Sequence, residues 1–177
     1  MQEVWKKFDE TELTHSSVHH LMAVHQLIKE NGYARAVDVG RHLNLTRGSI
    51  SVTLNKLKSK EYLAEDQNKF YKLTEKGEQF ICSVLSKRHI LQQFFTDVLD
   101  LSEEAAEIDA CKIEHLLSHE TGEQLLTFMG YFLSENPEAK NFREGFHSFR
   151  YKCSKENCTI CENNCFYAGI GPDGEHN

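Results

Sequence analysis

Three potential metal ligands lie within one turn of a predicted helix in the second half of this 177-residue chain. Cys111, Glu114 and His115 are spaced i, i+3 and i+4, so a helix projects all three side chains from one face. A thiolate, a carboxylate and an imidazole can together bind a divalent metal ion, provided that another helix supplies the remaining ligands. Each of these residue types alone is usually structural, but their spacing indicates a metal site. Side chains on other predicted helices that can complete it are His19, Met22 and His89.

A second cluster of potential ligands lies near the end of the sequence. Its spacing, C-x4-C-x2-C-x3-C, places four thiols within 13 residues, at Cys153, Cys158, Cys161 and Cys165. The charged start of the sequence is unlike a signal peptide, and no apolar run approaches the roughly 18 residues that span a membrane, so we expect a cytoplasmic protein with reduced cysteines and no membrane partner. Reduced thiols with this spacing can bind an iron-sulfur cluster or a tetrahedral zinc ion, and disulfides or a free redox switch are the remaining interpretations. Cys82, outside this cluster, is predicted to be a small buried apolar residue.

The composition indicates a folded, mostly α-helical protein of one domain or two small ones. Hydrophobic residues make up 40% of the chain, charged residues 27%, and its two prolines both come late. The formal net charge is −7, but residues 35–76 contain nine Lys or Arg against five Asp or Glu, so this segment is locally basic. A basic segment can contact a polyanion such as DNA, and a chain of this length is too short for a large multidomain enzyme.

The basic segment also has the pattern of a winged helix-turn-helix. Apolar periodicity predicts helices over about 14–31 and 36–43 and a third that Thr46 caps, followed by a hairpin about the turn DQN. The third helix presents small polar and basic side chains, which suit phosphates and base edges better than a core. The residues predicted to contact DNA are Arg35, Thr46, Arg47, Ser49, Ser51, Lys56, Lys58 and Lys69.

Three further helices are predicted over about 75–98, 103–117 and 119–135, the first two capped by Thr74 and Ser102. Their apolar faces are wider than a small bundle can bury internally. We therefore expect the second half of the protein to form a homodimer interface.

A family resemblance is carried by four stretches, in this order: GYARAVDVGRHLNLTRGSISVTLNKLKSKEYL, YKLTEKG, KRHILQQF and ACKIEHLLS. Together they resemble the diphtheria toxin repressor and manganese transport regulator family of metal-dependent repressors, over roughly residues 14–135. The resemblance implies a winged helix-turn-helix DNA-binding domain and then a helical metal-binding and dimerisation domain. The implied divisions are an N-terminal tail at 1–13, the DNA-binding domain at 14–74, the metal-binding and dimerisation domain at 75–135 and a cysteine-rich tail at 136–177.

The resemblance also assigns metal ligands by position. The family's central ligands fall on His89, Cys111, Glu114 and His115. Its first-helix ligands fall on His19 and Met22, where manganese-type members have carboxylates. Because two carboxylates are lost and a cysteine replaces another, the implied site is richer in nitrogen and sulfur, which favours Fe(II) over Mn(II), although Zn(II) or Co(II) would bind such ligands too.

An accessory metal site of the iron-type members falls on His89, Gln93 and Glu107. One expected carboxylate is an amide here, and an expected histidine is Glu107. We therefore expect the accessory site to be weakened or altered.

The sequence as a whole predicts a homodimeric, Fe(II)-activated transcriptional repressor of metal-homeostasis genes that binds double-stranded DNA at a near-palindromic operator, and not an enzyme. The alternative from the same sequence is a redox or iron-sulfur-sensing regulator that is switched mainly by the cysteine cluster. That cluster would then hold the iron-sulfur group or zinc, and the helical metal site would be vestigial.

Overall fold

The computed structural model describes residues 13–151, which form a predominantly helical structure with one small hairpin. In chain order its elements are α1 (His15–Asn31), α2 (Ala36–Leu43), α3 (Arg47–Ser59), β1 (Leu63–Glu65), β2 (Tyr71–Leu73), α4 (Glu75–Gln93), a π-helical turn (Phe94–Val98), α5 (Glu103–Ile113), α6 (His119–Phe132) and α7 (Pro137–Ser148). The predicted order, a winged helix-turn-helix followed by a helical domain, is confirmed.

Side-chain caps determine where several helices begin. The hydroxyl groups of Thr46, Thr74 and Ser102 accept hydrogen bonds from the backbone N–H three residues later, at 3.5, 3.1 and 3.3 Å. Each bond satisfies one of the backbone donors that the first helical turn leaves unpaired. The helix starts predicted at these three residues are therefore confirmed.

The first hydrophobic core holds the winged helix together. It joins α1, α3, the hairpin and the first half of α4, and its fully buried members include Leu21, Val24, Ile50, Leu54, Tyr62 and Ile81. In the hairpin, β1 pairs antiparallel with β2, with Leu63 opposite Leu73. Each large apolar side chain buried here contributes about 1.5–3 kcal/mol of transfer free energy. Because α1 and α3 share this core, α3 presents its polar side chains outward and follows the position of α1.

A smaller second core joins the end of α4 to α6. Val98, Met129 and Phe132 are buried in it, and Phe94 and Phe128 pack edge to face at 5.9 Å between ring centroids. The sequence predicts one regular helix as far as residue 98, but the structure widens the last turn into a π-helical turn. A single extra residue in a turn does not disturb apolar periodicity enough to be visible in the sequence.

A seventh helix, α7, occupies a stretch that the sequence analysis assigned to the tail. Pro137 lies in its first turn, where proline is favoured, and the side chain of Asn136 accepts a 2.8 Å hydrogen bond from the N–H of Glu138. Arg143 donates hydrogen bonds to the carbonyl oxygens of Phe132 and Ser134, so α7 satisfies the carbonyl end of α6. Pro137 thus begins a helix as well as following one.

Cys82 is exposed on α4, so the prediction that it is buried was wrong. Its neighbours Ile81 and Val84 occupy the buried positions of the helix instead. Among residues 13–151, no helix is both long enough and apolar enough to cross a membrane.

We expect Gly77→Ala to destabilise the metal-free protein by about 3 kcal/mol. Gly77 lies in the first turn of α4, where a Cβ would overlap the carbonyl oxygen of Tyr62 and come within 3.2 Å of Leu73. Urea unfolding measures the change. Gly48→Ala is the matched control, because nothing lies within 4 Å of its added Cβ, and we expect it to lose no stability, since alanine is favoured over glycine in a helix by up to about 1 kcal/mol. Equal losses in the two variants would contradict the proposed overlap.

Candidate metal centre and DNA-binding surface

A polar contact between α1 and α5 joins side chains that are 92 residues apart in the sequence. The Nε2 atom of His19 on α1 lies 3.3 Å from the Sγ atom of Cys111 on α5. His19 belongs to the winged helix, and Cys111 belongs to the helical domain that follows it. The contact therefore brings two of the predicted ligands together at the junction of the two domains.

Two further histidines extend this contact into a cluster. His15 lies one turn before His19, and its ring centroid is 4.4 Å from that of His19 and 4.9 Å from that of His115. The potential ligand atoms of His15, His19 and Cys111 all lie within 4.8 Å of one another. We refer to His15, His19, Cys111 and His115 as the α1–α5 cluster.

The sequence analysis did not identify His15. The signal that could have revealed it is its i, i+4 spacing from His19, which places both imidazoles on one face of α1. The resemblance directed attention to positions 19 and 22 instead, because those positions match the family's ligands.

The electrostatic environment of the cluster favours neutral imidazoles. Burial lowers the pKa of His19 and of His115, and the neighbouring His15 lowers both further. Neutral imidazole is the form whose nitrogen lone pair can bind a metal. Burial also raises the pKa of the Cys111 thiol, and Glu114 adds to that effect. Within the described residues, Nδ1 of His115 is buried without a hydrogen-bond partner. These imidazole nitrogens and the thiol sulfur fit a divalent transition metal.

Glu114 is fully buried and faces a cation on α4. Its Oε2 atom lies 3.3 Å from Nε of Arg88, although neither carboxylate oxygen has a hydrogen-bond partner within the described part of the chain. Burial raises the pKa of Glu114 to about 7, and the Arg88 charge opposes that shift. Its oxygens, like the ring nitrogens of His115, lie outside the group formed by the ligand atoms of His15, His19 and Cys111. The structure therefore places this predicted ligand in an ion pair between α4 and α5.

The remaining predicted ligands are distributed over α1, α4 and α5. Met22 is half-buried and packs against the first hydrophobic core. His89 is exposed on α4, and of the accessory-site residues Glu107 is exposed on α5 and Gln93 is half-buried. Their roles in metal binding stay predictions. The four tail cysteines, Cys153, Cys158, Cys161 and Cys165, lie outside the described residues.

A groove of about 930 Å³ lies between α3, the hairpin and the α2 region. The polar side chains that line it include Arg35, Arg41, Arg47, Ser51, Asn55 and Lys69. Arg35 is held at the turn end of the hairpin, where its guanidinium lies 4.3 Å from the centre of the Phe70 ring. Of the other residues predicted to contact DNA, Ser49 and Lys56 are exposed on α3, and the Thr46 side chain caps that helix.

Lys58, at the end of α3, is already paired with an acidic residue of the hairpin. Its ammonium group donates a hydrogen bond to Glu65 on β1, and this contact raises the pKa of Lys58 and lowers that of Glu65. Lys69 also approaches Glu65, with Nζ 3.6 Å from Oε1. The Glu65 carboxylate thus pairs with one lysine at the end of α3 and with another in the hairpin turn.

Comparison with protein families finds two matching models. A model described as the iron dependent repressor, metal binding and dimerisation domain matches residues 74–141, and a winged helix DNA-binding domain model matches residues 17–77. The first match extends into α7. Together the two models cover most of the described residues.

Similar proteins include two curated regulators. An uncharacterised HTH-type transcriptional regulator of Methanocaldococcus jannaschii is 31% identical over 114 residues, which are 64% of this chain and 91% of that protein. The HTH-type transcriptional regulator MntR of Bacillus subtilis is 27% identical over 130 residues, which are 73% of this chain and 91% of MntR.

Solved structures show the same fold. IdeR of T. acidophilum aligns with a TM-score of 0.54 and 24% identity, over 64% of this chain and 53% of that one. The manganese regulator SloR aligns with a TM-score of 0.58 and 20% identity, over 65% of this chain and 54% of that one. The alignment thus spans about half the length of each of these solved chains. Taken with the matched domains and the curated relatives, the chain belongs to the diphtheria toxin repressor and manganese transport regulator family of metal-dependent DNA-binding repressors, which are regulators and not enzymes.

Proposed function

We propose that this regulator represses transcription when a divalent metal binds between α1 and α5, with Fe(II) as the activating ion. The observation that carries the proposal is the 3.3 Å approach of His19 Nε2 to Cys111 Sγ. One of these ligands belongs to the DNA-binding domain and the other to the helical domain. A metal bound by both, together with His115, would connect the two domains through coordinate bonds.

The packing of α1 explains how such a connection reaches DNA. Leu21 and Val24 of α1 share the first hydrophobic core with Ile50 and Leu54 of α3. Holding α1 therefore holds α3, the helix that would enter the major groove. Metal binding then selects the DNA-competent arrangement from those that the free protein samples. To change the ratio of competent to incompetent protein from 1:99 to 99:1, the metal must bind the DNA-competent arrangement more tightly by about 5.5 kcal/mol.

The preference for Fe(II) over Mn(II) follows from the donor set. Imidazole and thiolate ligands bind the later divalent metals more strongly than Mn(II), which favours oxygen ligands. The buried carboxylate nearest to the cluster, that of Glu114, is paired with Arg88. A site with few available oxygen ligands therefore favours Fe(II).

We propose that the protein acts as a homodimer on a near-palindromic operator. Large apolar side chains of the second domain are exposed, including Leu126 at 57%, Leu133 at 44% and Phe142 at 47%, and a partner subunit would bury them. Two copies of α3 would then enter successive major grooves. On this view residues 14–74 bind DNA and residues 75–135 bind metal and dimerise, with α7 added to the second domain.

The second candidate function is regulation by the four-cysteine tail, which its C-x4-C-x2-C-x3-C spacing favours. Four thiols within one short segment can hold an iron-sulfur cluster or zinc. The two candidates differ in which cysteines the regulation requires, and substitution separates them.

We expect His115→Ala to abolish metal-stimulated DNA binding while the protein stays a folded dimer, because a ligand of the second domain is lost. Fluorescence anisotropy with an operator fragment selected from genomic DNA, with and without Fe(II) under anaerobic conditions, measures the effect. His119→Ala is the control, because His119 is exposed and outside the cluster. If Cys158→Ser with Cys161→Ser removes the regulation and His115→Ala does not, the tail is the switch and the main proposal fails.

Competition between metals tests the choice of ion. We expect Fe(II) to bind at the cluster at least about tenfold more tightly than Mn(II), because two or more ligands are nitrogen or sulfur. Anaerobic titration of each metal against the same chelating indicator measures the ratio, in a full-length variant whose four tail cysteines are serine. Tighter binding of Mn(II) than of Fe(II) would overturn the proposed selectivity.

Salt dependence tests the assignment of the cations on the DNA-binding surface. We expect Arg47→Ala to reduce the slope of log affinity against log salt by about 1, because one phosphate contact is lost. The paired variant Lys58→Met with Glu65→Gln removes no net charge, so its slope should be unchanged. A loss of slope equal to that of Arg47→Ala would show that Lys58 contacts a phosphate instead of serving mainly to hold the hairpin.

A further inference from the structure

We propose that His15 is a ligand of the bound metal, so that the site consists of three imidazoles and one thiolate: His15, His19, His115 and Cys111. This inference rests on the proposed function and specifies the coordination of the same site. It adds a ligand that the sequence analysis did not contain. It also makes the site one without a carboxylate.

The position of His15 on α1 is well defined. The hydroxyl of Thr14 accepts a hydrogen bond from the N–H of Ser17 at 3.4 Å, which caps the turn that carries His15. His15 and His19 are one turn apart, so their rings lie on the same face of the helix. His15 is exposed, whereas His19 and Cys111 are half-buried, so His15 lies on the solvent side of the cluster.

The distances allow the ligand atoms of His15, His19 and Cys111 to reach one ion. Atoms bound to the same ion at about 2.0–2.3 Å lie roughly 3.3–4 Å apart in a tetrahedral site. The His19 nitrogen and the Cys111 sulfur are already 3.3 Å apart. Within the trio of His15, His19 and Cys111 no ligand-atom separation exceeds 4.8 Å. Small side-chain rotations therefore suffice.

The helix predicted as far as residue 117 ends at Ile113, so His115 approaches the cluster from the turn that follows α5. Its ring lies 4.9 Å from that of His15, and its Nδ1 atom is buried without a hydrogen-bond partner among the described residues. A buried ring nitrogen without a partner is costly, and a bound metal removes that cost if this nitrogen is the one that coordinates. His115 therefore has a physical reason to complete the site.

The charge around the cluster supports the absence of a carboxylate ligand. Glu114 is paired with Arg88, and Met22 packs against the first core, so neither is needed for four-coordination. One thiolate and three neutral imidazoles form a donor set that suits Zn(II), Co(II) and Fe(II) far better than Mn(II). With His15 included, two of the four ligands come from α1. The DNA-binding domain then supplies two ligands and the second domain supplies two, so both domains are firmly connected to the metal.

Co(II) is the probe for this site, because four-coordinate Co(II) absorbs visible light much more strongly than five- or six-coordinate Co(II), and a thiolate ligand adds a charge-transfer band. The protein is the full-length chain with Cys153, Cys158, Cys161 and Cys165 changed to serine, because these thiols would otherwise bind Co(II) themselves. We expect intense ligand-field bands with one thiolate charge-transfer contribution.

His15→Ala should lower the intensity of the ligand-field bands and weaken Co(II) binding at least about tenfold. His15→Cys should keep four-coordination and increase the thiolate charge-transfer absorbance, which a merely structural role of His15 would not produce. His25→Ala, elsewhere on α1, is the matched control and should leave both the spectrum and the affinity unchanged. Circular dichroism verifies that each variant is folded.

Two outcomes separate failure of this inference from failure of the proposed function. If His19→Ala and Cys111→Ser remove the spectrum while His15→Ala and His15→Cys leave it unchanged, His15 is not a ligand and only this inference is overturned. If His19→Ala and Cys111→Ser also leave the spectrum unchanged, the cluster is not the metal site and both proposals fail.

Discussion

The proposed metal link between the two domains depends on one polar contact, in which an imidazole of α1 lies 3.3 Å from a thiol of α5. It joins the domain that presents α3 to the domain that carries the other candidate ligands. Polar groups that are removed from water must find partners, and here the partners come from opposite sides of a domain junction. Any ion that satisfies these groups must also hold the two domains in one arrangement.

Two ion pairs lie outside that contact, one in each domain. Arg88 compensates the buried Glu114 and so connects α4 to α5 beside the cluster. A buried carboxylate without such a partner would be strongly unfavourable, and this pairing leaves imidazole and thiol as the available donors. In the winged helix, Glu65 connects Lys58 at the end of α3 to the hairpin. The groove between α3 and the hairpin therefore keeps its shape. Arg47, which also lines the groove, is not part of this ion pair.

The parts of the fold that depend on local sequence were predictable. Threonine and serine caps define the starts of α3, α4 and α5, because a cap involves residues only three positions apart. Cys82 was predicted wrongly because residue type does not reveal which face of a wide apolar helix is covered. The π-helical turn and α7 were missed for related reasons. The π-helical turn differs from a regular helical turn by a single residue. Helix α7 is stabilised by Arg143, which donates hydrogen bonds to carbonyl groups at the end of α6.

The sequence by itself determined the family, the order of the helices and the types of ligand available at Cys111, Glu114 and His115. Their spacing predicts one shared helix face, but α5 ends at Ile113 and the other two residues follow it. Only the tertiary structure decided which of them converge. It paired Glu114 with Arg88, packed Met22 into a core and brought His15 to the cluster. His19 and Cys111 are 92 residues apart, and they meet only because the two domains pack together. A local sequence pattern does not predict a contact between such distant residues.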